Sequence, residues 1–243
     1  MKCRFYLLAI LFVASIPVSV ATDLEDLATK SWQHASSNTY SYGVWVGDSD
    51  RDGFIEIVSA GSRTNPDTCY SEACLRIYRY IASTGSWMGE GARKWACPYG
   101  TIYLRHVVAG DLDKDGEIDI ITVGYFYNGT AWKYQLKAWF KARGNRAPVI
   151  ENTRNDIYSC GTVLHRVVSG DVDNDGQNEI VAVGSCLDSH WLFYLGIFNY
   201  SKTSGFNVEI HYGYGYANSN TNYQDVAIGD VDNDGDTEIV CVG

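Results

Sequence analysis

A phrase of 15 residues occurs four times and limits the fold more than any other property of the chain. It reads GDSDRDGFIEIVSAG from Gly47, GDLDKDGEIDIITVG from Gly110, GDVDNDGQNEIVAVG from Gly170 and GDVDNDGDTEIVCVG from Gly229. The leading aspartates Asp48, Asp111, Asp171 and Asp230 lie 63, 60 and 59 residues apart. A period near 60 residues marks a repeat architecture, in which each unit buries its apolar face against the next. Every copy joins a carboxylate cluster to a β-branched apolar run.

Between the phrases the chain reads as strands. In the third unit these fall at 163–169, 179–185, 191–200 and 206–214, with Lys202-Thr-Ser-Gly205 as a turn. The second unit copies them at 106–109, 118–126, 132–142 and 147–157, turning at Asn128-Gly129 and Arg143-Gly144. The first has 42–46, 56–60, 75–82 and 86–95, turning at Thr84-Gly85. Glycine in these turns accepts the positive φ that tight hairpins demand. No helical period stands out beyond a short candidate at 23–30. Four strands per unit predict an all-β chain built as a β-propeller of four-stranded blades. The blades are expected at about 40–102, 103–162 and 163–222, with the start of a fourth at 223–243. Such a ring is incomplete, and the chain is expected to be part of a longer one. Trp132, Trp139, Trp191 and Phe193 are expected to pack between blades.

The carboxylates follow the pattern Asp-x-Asp-x-Asp-Gly-x-x-Asp/Glu. In a tight loop, positions one, three and five turn toward a common centre, the glycine at six allows the sharp bend, and position nine closes the shell. The expected side-chain ligands are Asp48, Asp50, Asp52 and Glu56 in the first loop and Asp111, Asp113, Asp115 and Asp119 in the second. The third offers Asp171, Asp173, Asp175 and Glu179, and the fourth Asp230, Asp232, Asp234 and Glu238. Backbone carbonyls are expected from Phe54, Glu117, Gln177 and Asp236. Several charged oxygen donors suit Ca²⁺, which takes six to eight oxygens in flexible geometry, better than Mg²⁺ with its strict octahedron. Soft metals would need Cys or His, absent from the loops. An EF-hand would carry Glu at loop position twelve, where this chain has Ser59, Thr122, Ala182 and Cys241.

The loops and the Glu-Ile-Val-x-x-Gly run after them resemble FG-GAP/VCBS-type repeats, including the calcium-binding hairpin loops of integrin α-chain propellers. The resemblance covers about residues 40–243 and is most specific at the loops. It implies a propeller of about seven blades with Ca²⁺ between the first two strands of a blade, up to four sites here. Neither Phe-Gly nor Gly-Ala-Pro stands at the family's namesake positions, and Glu replaces Asp at position nine in three loops. The chain is closer to the microbial FG-GAP-like branch than to an integrin.

Residues 1–21 have the layout of a secretory signal peptide: Lys2 and Arg4, an apolar core at 5–16, and small residues through Ala21. Without it, 17 basic residues face 29 acidic ones, and 16 of those acids are the loop ligands. The acidity therefore reads as ligand charge and argues against a nucleic-acid partner. Six cysteines remain, Cys69, Cys74, Cys97, Cys160, Cys186 and Cys241, an even number that predicts disulfides in an exported chain, with Cys69–Cys74 the one locally supported pairing. Asn128 and Asn199 head glycosylation sequons.

GxSxG, HExxH and GxGxxG are absent. The expected function is a secreted, non-catalytic binding or adhesion module for glycans or for cell-surface or extracellular proteins. The alternative is the propeller of a polysaccharide lyase, since some rhamnogalacturonan lyases carry related calcium-rich propellers. Its candidate residues are Arg105 and His106, His165 and Arg166, and Gln224 and Asp225, at corresponding places near the start of each innermost strand. The tract from His211 to Tyr223, with Tyr214 and Tyr216, mixes aromatic faces with amides and is the best local hint of sugar contact.

Overall fold

The computed structural model describes residues 38–65, 67–68, 70–97, 100–140, 149–155, 161–187, 191–215 and 220–243. The signal-peptide expectation, the helix candidate at 23–30, Cys69, Cys160 and Tyr216 lie outside them. Among the described residues the regular structure is entirely β. The first sheet holds β1 (Thr39–Gly47), β2 (Glu56–Thr64), β3 (Ser71–Ile81) and β4 (Ser86–Trp95). The second holds β5 (Ile102–Gly110), β6 (Asp119–Tyr127), β7 (Trp132–Phe140) and β8 (Val149–Asn155). The third holds β9 (Gly161–Gly170), β10 (Glu179–Leu187), β11 (Trp191–Ser201) and β12 (Gly205–Tyr214). A hairpin of β13 (Asp225–Gly229) and β14 (Glu238–Val242) follows. Every sheet is an antiparallel meander with its strands in chain order.

The sheets stack face to face, and the pleat explains how. Successive side chains of a strand point to opposite faces. In β10, Ile180 and Ala182 join one core with Ile121, Val123, Tyr134, Leu136 and Phe198. Their neighbours Val181 and Val183 join another with Leu195, Ile197 and Val226. In β6, Ile120 instead turns to the first sheet, beside Val58, Ala60, Leu75 and Ile77. A strand covered on both faces has no polar side, which is why 119–124 and 179–186 read as near-continuous apolar runs. Trp139 is fully buried between sheets, its indole Nε1 donating to Thr122 Oγ1 at 2.9 Å, while Trp95 packs on it at 4.9 Å. The first strands β1, β5, β9 and β13 are neighbours from sheet to sheet.

Two expectations need correction. The first strands of the units begin earlier than the alternation indicated: β1 at Thr39, β5 at Ile102 and β9 at Gly161. Each contains a bulge that shifts the pleat by one residue, and in β1 and β5 the expected start falls at or just past it, where the period breaks. The Cys69–Cys74 pairing also fails, because Cys74 carries a free thiol. It sits in β3 opposite Gly61, 4% exposed, and burial raises its pKa. No disulfide joins two described cysteines.

Candidate metal centre

Each acidic loop joins the first two strands of its unit, and its backbone is the same four times. Position four is left-handed in every copy although none is glycine: Arg51, Lys114, Asn174 and Asn233 have φ of 54, 58, 61 and 59°. The glycines at six, Gly53, Gly116, Gly176 and Gly235, follow at 91, 90, 84 and 92°. Holding an ordinary L residue there costs about 1–2 kcal/mol, so the rest of the loop must dictate it.

Three hydrogen bonds do so, and all recur. The N–H of the glycine donates to the leading aspartate, at 2.9 Å to Asp48, 3.1 Å to Asp111, 2.9 Å to Asp171 and 3.1 Å to Asp230. The N–H of position seven donates to position five: Phe54 to Asp52, Glu117 to Asp115, Gln177 to Asp175 and Asp236 to Asp234, at 2.7 to 3.0 Å. The N–H of position two donates to the acid at nine: Ser49 to Glu56, Leu112 to Asp119, Val172 to Glu179 and Val231 to Glu238, at 2.7 to 3.2 Å. Carboxylates thereby wrap the backbone and still keep oxygens for another partner.

Those oxygens converge. One ligand atom from each of Asp48, Asp50, Asp52 and Glu56 lies within 4.8 Å of the others, and the same holds for Asp111, Asp113 and Asp115. Asp171, Asp173 and Glu179 form the third group, and Asp230, Asp232 and Asp234 the fourth. Asp119, Asp175 and Glu238 stand beside these groups without belonging to them. Phe54, Glu117, Gln177 and Asp236 lie at the turn, held through their N–H groups as above.

The donor set fits a hard cation. Asp111 Oδ1, Asp113 Oδ1, Asp171 Oδ1 and Glu179 Oε1 are buried acceptors with no hydrogen-bond partner among the described residues. Burying an ionised carboxylate is costly unless something pairs with it. Glu179 shows the strain of its site. Burial, reinforced by Asp173, Asp175 and Glu209, pushes its pKa up to about 7 against the N–H of Val172. Burial together with Asp173 and Asp175 raises Glu209 too. A bound divalent ion would reverse that repulsion.

Basic side chains partly offset the charge, and unequally. Lys202, from the β11–β12 turn, places Nζ 2.5 Å from Asp115, 2.9 Å from Glu117 and 3.9 Å from Asp119, and its N–H donates to Asp113 at 3.0 Å. These acids, Asp115 foremost, outweigh the desolvation that would lower the Lys202 pKa and hold it raised. Arg79 bridges Asp52 at 3.0 Å and Glu90 at 3.5 Å, and lies 3.4 Å from the Phe54 ring centre. Arg51 reaches Asp111 of the next loop at 3.1 Å, and Asn174 donates to Asp236 at 2.8 Å. Nothing in the local sequence marks Lys202 or Arg79, since each comes from a different strand turn or sheet position.

The candidate residues outside the loops form two rows. In β1, β5 and β9 the register skips Tyr42, Arg105 and His165, so these are bulge residues. They lie inside their strands, not at the start as expected for Arg105 and His165. Beside them stand Gly43, His106 and Arg166, and Asp225 opens β13. The sequence carries a signal for the bulge: the last glycine of the first three repeated phrases, Gly61, Gly124 and Gly184, faces it, and Gly243 makes the same close approach to the chain before β13. A Cβ there would strike the carbonyl of Tyr40, Tyr103, Val163 or Asn222. The aromatic tract lies at the far edge strand, where Tyr212 and Tyr214 stack at 6.4 Å and are 42% and 45% exposed.

Neither protein-family models nor the curated proteins give a match to this chain.

Proposed function

We propose that the protein is a secreted, calcium-binding β-propeller that serves as a non-catalytic binding or adhesion module for glycans or surface proteins. The stacked meanders are taken as successive blades, and the loops as Ca²⁺ sites that are mainly structural. What supports the reading above all is the repetition of one loop backbone, with its three hydrogen bonds and converging carboxylates, in all four units. Ca²⁺ is preferred because the donors are all oxygen and the groups differ in size, which a flexible coordination sphere accommodates and an octahedral one does not.

When bound, the ion supplies positive charge that cancels the mutual repulsion of each carboxylate group. The chain's own part is to hold those carboxylates in place through N–H groups and to fix the ends of β1, β5, β9 and β13. Linkage sets the size of the effect. At ~1 mM free Ca²⁺ and a Kd of ~0.1 mM, as in extracellular modules, each site contributes about 1.4 kcal/mol.

The test is a pair of measurements on the full chain. The thermal midpoint should rise by several degrees between EGTA and 1 mM Ca²⁺, and a uronate polymer incubated with the calcium form should yield no unsaturated product. An unchanged midpoint removes the structural role of the ion. Steady release of unsaturated product replaces the binding reading with a lyase.

A further inference from the structure

Away from the acidic loops, the bulges gather a second kind of chemistry. Arg105 lies on the Tyr42 ring, 4.5 Å from guanidinium carbon to ring centre. It has no carboxylate within ion-pair distance among the described residues, and its Nε is buried without a hydrogen-bond partner. His165, the bulge residue of the next sheet, packs edge-on against Tyr125 at 5.9 Å. Tyr125 in turn meets Trp132 at 5.5 Å, and both rings are half-buried. Arg166 donates to the His165 carbonyl at 3.1 Å, and its nearest acid is Asp225, 3.7 Å away and 61% exposed. Burial with the charges of Arg105 and Arg166 lowers the His165 pKa to about 4, so this imidazole is neutral at physiological pH. Burial and Arg166 lower the His106 pKa as well, against the Val167 backbone and Asp225.

The charge balance here is opposite to that of the rest of the molecule. Two guanidinium groups face one exposed carboxylate, on a chain whose formal charge is −10. Arg105 is six residues before the Asp111 loop on the same strand, about 20 Å along it, so the two sites are separate. Bulges re-aim side chains, and this one is built identically while its occupant changes from Tyr42 to Arg105 to His165. The scaffold repeats and the chemistry varies, as expected where the inner strands present a composite surface.

We propose that Arg105 and Arg166, flanked by Tyr42, Tyr125, His165 and Trp132, bind the carboxylate-bearing ring of an acidic saccharide. Arg105 takes the carboxylate, because a planar guanidinium pairs with it through two parallel hydrogen bonds. The tyrosine hydroxyls stay protonated, since burial raises both Tyr42 and Tyr125, and can donate to ring hydroxyls. Trp132 and Tyr125 supply the flat apolar faces on which a sugar ring rests. A peptide carboxylate would use the arginines but not this run of rings. The proposal rests on the reading of the chain as a glycan-binding module and names the ligand class and its site.

The experiment is a titration of the full calcium-loaded chain with a glucuronate-containing hexasaccharide and with its carboxyl-reduced counterpart. A sialylated oligosaccharide, its neutral form and a glutamate-rich peptide are titrated in parallel. The expected result is binding of at least one acidic saccharide, at least tenfold weaker for its neutral form, and a loss of tenfold or more in Arg105→Gln. Arg105→Lys should recover part of that loss. Carboxyl reduction alters the ligand only, so that arm decides the matter even if Arg105→Gln does not fold. Equal binding of acidic and neutral forms, binding of the peptide alone, or no binding of either saccharide overturns the proposal. A calcium-dependent thermal midpoint beside such a failure leaves the structural-ion reading standing, whereas a midpoint indifferent to calcium removes that reading separately.

Discussion

Gly184→Ala tests whether the bulge in the first strand of each four-stranded sheet is a built feature. Gly184 has an ordinary backbone conformation, so alanine costs little in torsion there. The cost lies in contact: a new Cβ would collide with the Val163 carbonyl oxygen and sit 2.9 Å from the Leu164 Cα, both backbone atoms of β9. That carbonyl must retreat by roughly 1.4 Å to reach an ordinary carbon–oxygen contact. Gly184 is fully enclosed, between Val183 and Ser185 at 0% exposure, so the shift cannot be taken up by solvent. Overpacking of a buried site costs about 1–3 kcal/mol, and one weakened ladder hydrogen bond adds about 1 kcal/mol. A loss near 3 kcal/mol corresponds to a fall of about 6–12 °C in thermal midpoint for a chain of this size. Gly235→Ala is the control, with φ of +92° and nothing within 4 Å of the added Cβ. It should cost about 1–2 kcal/mol, all of it torsional. Thermal unfolding of both variants in 1 mM Ca²⁺ measures the difference. Gly184→Ala as stable as the wild type, or more stable than Gly235→Ala, refutes the argument.

Three further outcomes follow from the charges. Glu72 accepts from Arg63 Nε at 2.8 Å and from Asn65 Nδ2 at 2.6 Å, and Arg63 Nη2 lies 2.6 Å from it, with both partners of the ion pair buried. Glu72→Gln should therefore cost about 3 kcal/mol in chemical denaturation, because it leaves a buried guanidinium without its counter-charge. Burial would raise the Glu72 pKa, but Arg63 and Asn65 outweigh it and hold it low. The pair's stability is present above the ordinary carboxylate pKa and is lost as pH falls through the lowered one. Glu179 has the opposite sign: its pKa near 7 means that, without metal, its contribution is present below the ordinary value of 4.5 and lost as pH rises through 7. Calcium binding at the third loop should accordingly weaken about tenfold per pH unit below 7, read by calorimetry at pH 7.5 and 6, and a pH-independent affinity would contradict it. Lys202→Met removes the ammonium beside Asp115 and Glu117, and should raise the affinity of the second loop severalfold; an unchanged or lower affinity would show that the lysine does not compete.

Much of the fold is legible because its signals are local. The four-strand units, the turn at Thr84-Gly85 and the loop carboxylates all follow from short patterns, and the strands appear where β-branched residues cluster. The loop backbone is only half legible: glycine at position six announces its bend and asparagine, which tolerates the left-handed region, marks Asn174 and Asn233, whereas Arg51 and Lys114 carry no such mark. Their conformation is imposed by the hydrogen bonds around them. The starts of β1 and β5 are not legible, because a bulge reverses the pleat and an alternating pattern cannot be followed through it. Cys74 illustrates the remaining gap. Spacing alone offered Cys69 as its partner, but whether a thiol is drawn into a sheet is decided by the strands beside it. Lys202 and Asp115 are 87 residues apart, and only the stacking of one sheet on the next brings them together.

The central claim is that the four loops hold calcium. Count the ions directly: strip the full chain with EGTA, dialyse it against 1 mM CaCl₂, and measure bound metal per chain. Four ions per chain, falling by one in Asp48→Asn/Asp50→Asn and by one in Asp230→Asn/Asp232→Asn, is the predicted result. No bound calcium in a folded chain would contradict the account.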